Sequence, residues 1–196
     1  MTVTTRRYHH GSLRPVLLGA ALAAISDAGP PGDVAHAQRG RADVSHAASG
    51  HHFGDKAGLL TALAAQGYQL LADELTAAWA ESGQFLEVGV AYVRFAVAHP
   101  AHFAVMFRPE LQHVEDPELQ KSKARADAAL YGGVGRLPSS QAGADPLVAG
   151  VAAWSIVHGF ATLWLAGAFP AGLGDTPGPA ARSVIQRLFA PPPGPS

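Results

Sequence analysis

The chain has 196 residues, 48% of them hydrophobic and 15% charged, which allows a sizeable core and excludes a wholly disordered polymer. A formal net charge of −1 means that any nucleic-acid partner must be met by a local basic patch, since the whole-molecule field offers no attraction. The absence of cysteine rules out a disulfide framework and a thiolate metal site.

The amino end, "MTVTTRRYHHGS", has two arginines but no apolar run leading to a small-residue cleavage site, so no signal peptide is read there and a cytoplasmic location is expected. Ser12 is placed to cap a first helix, with Pro15 in its opening turn, where backbone N–H groups lack intrahelical partners. Leu13, Val16, Leu17, Ala20, Ala21, Ala24 and Ile25 then recur at helical spacing until "AGPPG" stops the pattern. Asp55 is placed to cap a long helix whose buried face carries Leu59, Leu60, Leu63, Leu70, Leu71 and Leu75. A helix over 84–98 presents Phe85, Val88, Tyr92, Phe95 and Ala96 on one side, and a short one follows over 102–107. Pro117 opens the next helix, with Leu119, Ala126, Leu130 and Tyr131, and the Gly/Ser/Pro-rich stretch 132–146 breaks it.

Residues 148–169 are apolar nearly all round and long enough to suggest a membrane span. Ser155, His158 and several small residues interrupt the run, and flanking basic anchors are missing, so a buried helix and no membrane partner are expected. A last amphipathic helix covers 180–189, ahead of a tail, 191–196, whose "PPPGPS" composition predicts disorder. No segment alternates as a strand, so the predicted fold class is all-α.

The stretch "VSHAASGHHFGDKAGLL" concentrates histidines. His46, His51 and His52 have only Asp55 as a nearby carboxylate, and adjacent helical residues point about 100° apart, which argues against a metal site. No Gly-x-Ser-x-Gly, paired carboxylate or phosphate loop accompanies them, so neither catalysis nor a cofactor is expected. The alternative is a nucleic-acid surface, where histidines donate to phosphate oxygens with little permanent charge near neutrality.

Two amino-terminal stretches, "YHHGSLRPVLLGAALAAISDAG" and "VSHAASGHHFGDKAGLL", and two carboxyl-terminal ones, "HPAHFAVMFRPEL" and "WSIVHGFATLWLAG", occur in that order. Together they resemble the tetracycline-repressor (TetR) family of bacterial transcription regulators, with the C-terminal domain named for its Trp-His-Gly signature, here Trp154 with His158 and Gly159. The resemblance implies a three-helix helix-turn-helix DNA-binding domain over 1–54 and a helical ligand-binding and dimerisation domain over 55–190. It implies DNA contacts by Arg7, Tyr8, His9, His10, Ser45, His46, Ala47, Ala48, His51, His52 and Lys56, with Phe53 filling the small domain's core. Ser45 would sit at the recognition helix's amino end, where an anion is favoured. The implied partners are double-stranded operator DNA, a second copy of the chain and a small-molecule effector of unknown identity. Tyr92, Phe95, Phe103, Met106, Phe107, Trp154 and His158 are the candidate effector contacts, His158 being readable also as a hydrogen-bonded structural residue. The resemblance also implies that the helices over 148–169 and 180–189 pair with their copies as a four-helix dimer interface, where Gly150, Gly159 and Gly167 would permit close approach.

The segment between the amino-terminal motifs departs from the family pattern. Asp33, Ala35 and Gln38 stand where the first helix of a helix-turn-helix needs leucines, and Asp43 stands at the turn glycine. Burying a leucine-sized side chain is worth roughly 1.5–3 kcal/mol, so three losses approach a small domain's net stability of about 5–15 kcal/mol. The sequence therefore leaves two functions open. One is a ligand-responsive homodimeric repressor on a palindromic operator. The other is a TetR-like ligand-binding dimer that has lost specific DNA binding.

Overall fold

The computed structural model describes residues 13–27, 52–134 and 145–189, and all its regular structure is helical. Helix α1 spans Leu13–Asp27 and packs against the helices Pro100–Met106 and Lys56–Ser82 through Leu17, Leu18, Ala21, Leu22 and Ile25. The contact stripe is thus rotated from the one its spacing suggests: Val16 is 62% exposed, and Leu18 and Leu22 take its place. Ser12 and the departing segment 33–43 lie outside the described residues, as do the 135–144 part of the predicted loop and the 191–196 tail.

Helix α2, Lys56–Ser82, is the central rod, about 40 Å long at 1.5 Å per residue. Asp55 caps it as expected, accepting from the Gly58 N–H at 2.7 Å, and Gly83 ends it in a left-handed conformation at φ 62°. Leu60, Leu63, Leu71 and Leu75 fill the core from its inner face. Helices α3 (Phe85–Ala98) and α4 (Pro100–Met106) follow, divided at His99-Pro100 because proline disfavours helix in the residue before it. After a 3-10 turn, Pro109–Leu111, comes α5 (Pro117–Tyr131), which lies along α2. Asp116 caps α5 by accepting from the N–H groups of Glu118 and Leu119.

Helices α6 (Pro146–Leu165) and α7 (Pro177–Phe189) complete the bundle by packing on α3. Gly89 marks that junction, since a Cβ there would approach Val157 Cγ1 at 3.2 Å and Ile185 Cδ1 at 3.3 Å. Arg182 grips both carboxylate oxygens of Glu87 and so pins α7 to α3. The ion pair holds the Glu87 carboxyl below its usual range.

The apolar α6 is buried on one face only. Gly150, Ala153, Val157, Phe160 and Ala161 are covered, whereas Leu147 (68%), Val148 (62%), Val151 (44%) and Leu163 (46%) stand exposed. By length and composition this helix could cross a membrane. Gly150 in this helix and Gly167 just after it have roles within the chain. A Cβ on Gly150 would meet the Tyr131 ring at 2.5 Å, so the glycine lets α6 approach α5, and Gly167 (φ 63°) turns the chain after the helix.

Candidate ligand cavity

Helices α2, α3, α4, α5 and α6 line a half-open cavity of about 590 Å³, bordered along one side by the segment joining α4 to α5. That is within the usual range for a small-molecule site, roughly 300–1,000 Å³. Most of its wall is apolar or aromatic, and several of its polar groups are held by hydrogen bonds within the chain.

Tyr92, at 0% exposure, is the deepest of these groups. Its hydroxyl lies 2.9 Å from Nδ1 of His158 and accepts a hydrogen bond from Trp154 Nε1 at 3.2 Å, so α3 and α6 are joined by a three-residue chain. Burial pushes the Tyr92 phenol far above its ordinary pKa and pulls the His158 imidazole below its own, so both are neutral at physiological pH. The His158 ring is packed by Phe107 at 4.5 Å, Phe103 at 5.1 Å and Trp154 at 5.7 Å between centroids. Tyr68 enters from α2 and donates to the Met106 carbonyl at 2.9 Å, and burial raises its phenol to about 12.

Five of the predicted effector contacts, Tyr92, Met106, Phe107, Trp154 and His158, meet at this cavity. Phe95 and Phe103 do not line it. Phe95, 1% exposed, packs against His99, and Phe103 stands behind the His158 ring as its support. His158 combines both of its readings, with a hydrogen-bonded Nδ1 and a ring on the cavity wall. Tyr68, Gln112, Lys123 and Asp127 also reach the cavity and escaped the sequence reading. Tyr68 was discoverable as a hydroxyl set among the leucines of α2. Lys123 and Asp127 read as an ordinary solvated pair four residues apart and gave no signal.

The segment that borders the cavity also touches the foot of α2. Gln112 and Val114 line the cavity, and Gln112 Nε2 donates to the Val105 carbonyl at 2.5 Å. Between them His113 turns the other way: its backbone N–H donates to Thr61 Oγ1 at 2.8 Å, and its Nε2 lies 3.0 Å from Asp55 Oδ1. The Asp55 carboxyl is held below its usual range, first by the Gly58 N–H and then by His113.

Of the candidate DNA contacts, His52 and Lys56 fall among the described residues. Arg7, Tyr8, His9, His10, Ser45, His46, Ala47, Ala48 and His51 lie outside them. Lys56, exposed, is the first residue of α2, and partial desolvation lowers its ammonium pKa. His52 is half-buried and lines a second cleft, of about 710 Å³, with Arg14, Thr61, Gln66 and His113. Phe53, also half-buried, lies under the Arg14 guanidinium at 5.3 Å, a cation–π contact that ties α1 to the segment before α2.

Residues 85–188 match a family described as "Tetracyclin repressor-like, C-terminal domain". No curated protein matches the sequence. Two solved structures share the architecture. A protein of unknown function from Rhodococcus sp. RHA1 is 28% identical with a TM-score of 0.68, the match covering 95% of this chain and 100% of that one. A candidate regulatory protein, SCO4313, is 22% identical with a TM-score of 0.65, over 96% and 100% of the two chains, a likeness of fold.

Proposed function

This chain belongs to the TetR family of transcriptional regulators, and from that membership we propose that it is a homodimeric repressor, released from a palindromic operator when a small molecule fills the cavity beside Tyr92. The observation that carries the reading is that cavity: apart from Tyr68 and Leu71 its lining residues fall within the family-matched stretch, and one of its walls, residues 112–114, also hydrogen-bonds to the foot of α2.

In this reading residues 1–54 form the DNA-binding head and 55–190 the effector-binding and dimerising body. Lys56 holds a phosphate as a point charge, and His52 works beside it. Arg7, Tyr8, His9 and His10 approach the backbone ahead of α1. Ser45, His46, Ala47, Ala48 and His51 belong to the groove-facing surface. The exposed face of α6 pairs with its copy, and two heads related by the two-fold axis meet half-sites roughly 34–36 Å apart. A ligand that displaces residues 112–114 pulls on Asp55 and Thr61 and changes the separation of the heads. The coupling is bounded by the ligand's differential affinity for the two poses.

A second reading, a TetR-like dimer without specific DNA binding, is favoured by Asp33, Ala35 and Gln38 in the place of core leucines. Fluorescence anisotropy with the gene's own upstream DNA, across a salt series, decides between them. Tight sequence-specific binding supports the repressor, and weak binding erased by salt supports the second reading. Lys56→Ala should then weaken binding to every sequence and reduce the salt slope by roughly 0.9, one phosphate's worth. A loss confined to one base position would remove Lys56 from its assigned role.

A further inference from the structure

The polar groups on the cavity wall are largely committed to the protein itself. The Tyr68 hydroxyl donates to the Met106 carbonyl, the Gln112 amide to the Val105 carbonyl, the Gln120 amide to the Val114 carbonyl and the Ser155 hydroxyl to the Val151 carbonyl. His158 is different. An indole N–H can only donate, so the Tyr92 oxygen accepts from Trp154, and among the described residues the one acceptor bonded to the buried Tyr92 hydroxyl's own hydrogen would be Nδ1 of His158, the direction we adopt. A neutral imidazole that accepts at Nδ1 carries its proton on Nε2.

Among the described residues no hydrogen bond engages Nε2 of His158, and no buried side-chain nitrogen or oxygen there lacks a partner. An unengaged Nε2 is therefore accessible, and the open space beside this ring is the cavity. The wall thus presents a fixed neutral N–H donor in an aromatic surround. Its charged groups, Lys123 and Asp127, stand four residues apart on α5 and offset each other, so an ionised ligand finds no uncompensated partner to repay its desolvation.

Building on the effector reading above, we propose that the cavity selects an uncharged aromatic ligand bearing a carbonyl oxygen, which accepts the Nε2–H of His158 while the ligand's rings lie against Phe107 and Trp154. Tyr92 and Trp154 act as positioning residues that fix the tautomer.

The test is isothermal titration calorimetry of the full chain against four naphthalenes of nearly equal size: the methyl ketone, its isopropenyl isostere, the carboxylate and the trimethylammonium compound. The ketone should bind roughly three- to tenfold more tightly than the isostere, the usual range for one neutral hydrogen bond. His158→Phe should abolish that advantage, with the circular dichroism of the variant unchanged to show an intact fold. Tyr92→Phe should shrink it, because Nδ1 loses the donor that fixes the tautomer. Tightest binding by either ion, or a ketone advantage that survives His158→Phe, overturns the proposal and leaves the effector cavity standing. Failure of all four to bind overturns the effector reading and this proposal with it.

Discussion

The interior of the bundle and the outer face of α6 are equally apolar but very differently completed. Inside, Phe160 and Ala161 are covered by their own chain, and the polar groups that enter with them are matched: Gln66 accepts from His102, and Tyr92 joins Trp154 and His158. On the outside, Leu147, Val148, Val151 and Leu163 face solvent, and the polar Thr162 turns its hydroxyl back onto a carbonyl of the same helix. A contiguous apolar face of this kind marks an association surface. In the proposed dimer an all-round apolar helix would serve two burial events, of which one chain completes only the first.

The contrast breaks most sharply at Phe160, whose ring is 5% exposed and packs against Trp164 at 5.8 Å and Phe169 at 4.8 Å. Phe160→Ala should cost about 3–5 kcal/mol in urea unfolding at fixed protein concentration. A loss under about 1 kcal/mol would mean that the interior does not depend on α6.

Next in size is His102, 6% exposed and lowered from 6.5 to about 4, first by burial and then by His99. The folded chain keeps this imidazole neutral down to about pH 4, whereas the unfolded chain protonates it near 6.5. Between those values the unfolded state binds more protons, so the contribution is complete above pH 6.5 and is lost as pH falls towards 4. The loss should be on the order of 2–3 kcal/mol. Urea midpoints across this window should fall steeply for the wild type and more gently for His102→Leu; parallel curves would refute the assignment.

Helices with a strong one-sided pattern were legible in the sequence. Leu60, Leu63, Leu71 and Leu75 of α2, the Asp55 cap and the His99-Pro100 break reappear, because each rests on local chemistry, whereas Leu59 stands outside the core and Leu70 is only partly buried. The stripe of α1 was read one step around the helix because its spacing, rich in alanine, fits more than one face, and tertiary contact with α4 and α2 chooses between them. Five cavity residues, Tyr92, Met106, Phe107, Trp154 and His158, were among the candidate contacts that accompanied the family resemblance. The link from His113 to Asp55 was not, since those residues lie 58 positions apart and only the fold of the α4–α5 segment brings them together. The glycines of α6 were read as one class. Gly150 serves α5, Gly167 serves a turn, and Gly159 borders the cavity.

Gly150 separates the two faces at finer scale. A methyl group there meets Tyr131 Cδ1 at 2.5 Å and Cε1 at 3.0 Å, so Gly150→Ala must displace that ring. Overpacking typically costs about 1–3 kcal/mol, and the gain in helix propensity returns about 1, leaving a net loss of roughly 1–2 kcal/mol. An unchanged urea midpoint would show that α6 and α5 are less closely held than their distance implies.

The smallest effect on the single chain should come from the outer face. Val151, 44% exposed, contributes little to the interior, so Val151→Glu should change unfolding of the isolated chain by no more than about 0.5 kcal/mol. Its effect on association should be far larger, because a carboxylate at the centre of an apolar interface is desolvated beside its two-fold copy with no counter-charge. Sedimentation equilibrium should show a dimer for the wild type and a monomer for the variant, with circular dichroism unchanged. A variant that stays dimeric would place the interface elsewhere and leave the exposed face of α6 without its proposed occupant. A monomer that keeps wild-type operator affinity would show that the heads need no fixed spacing.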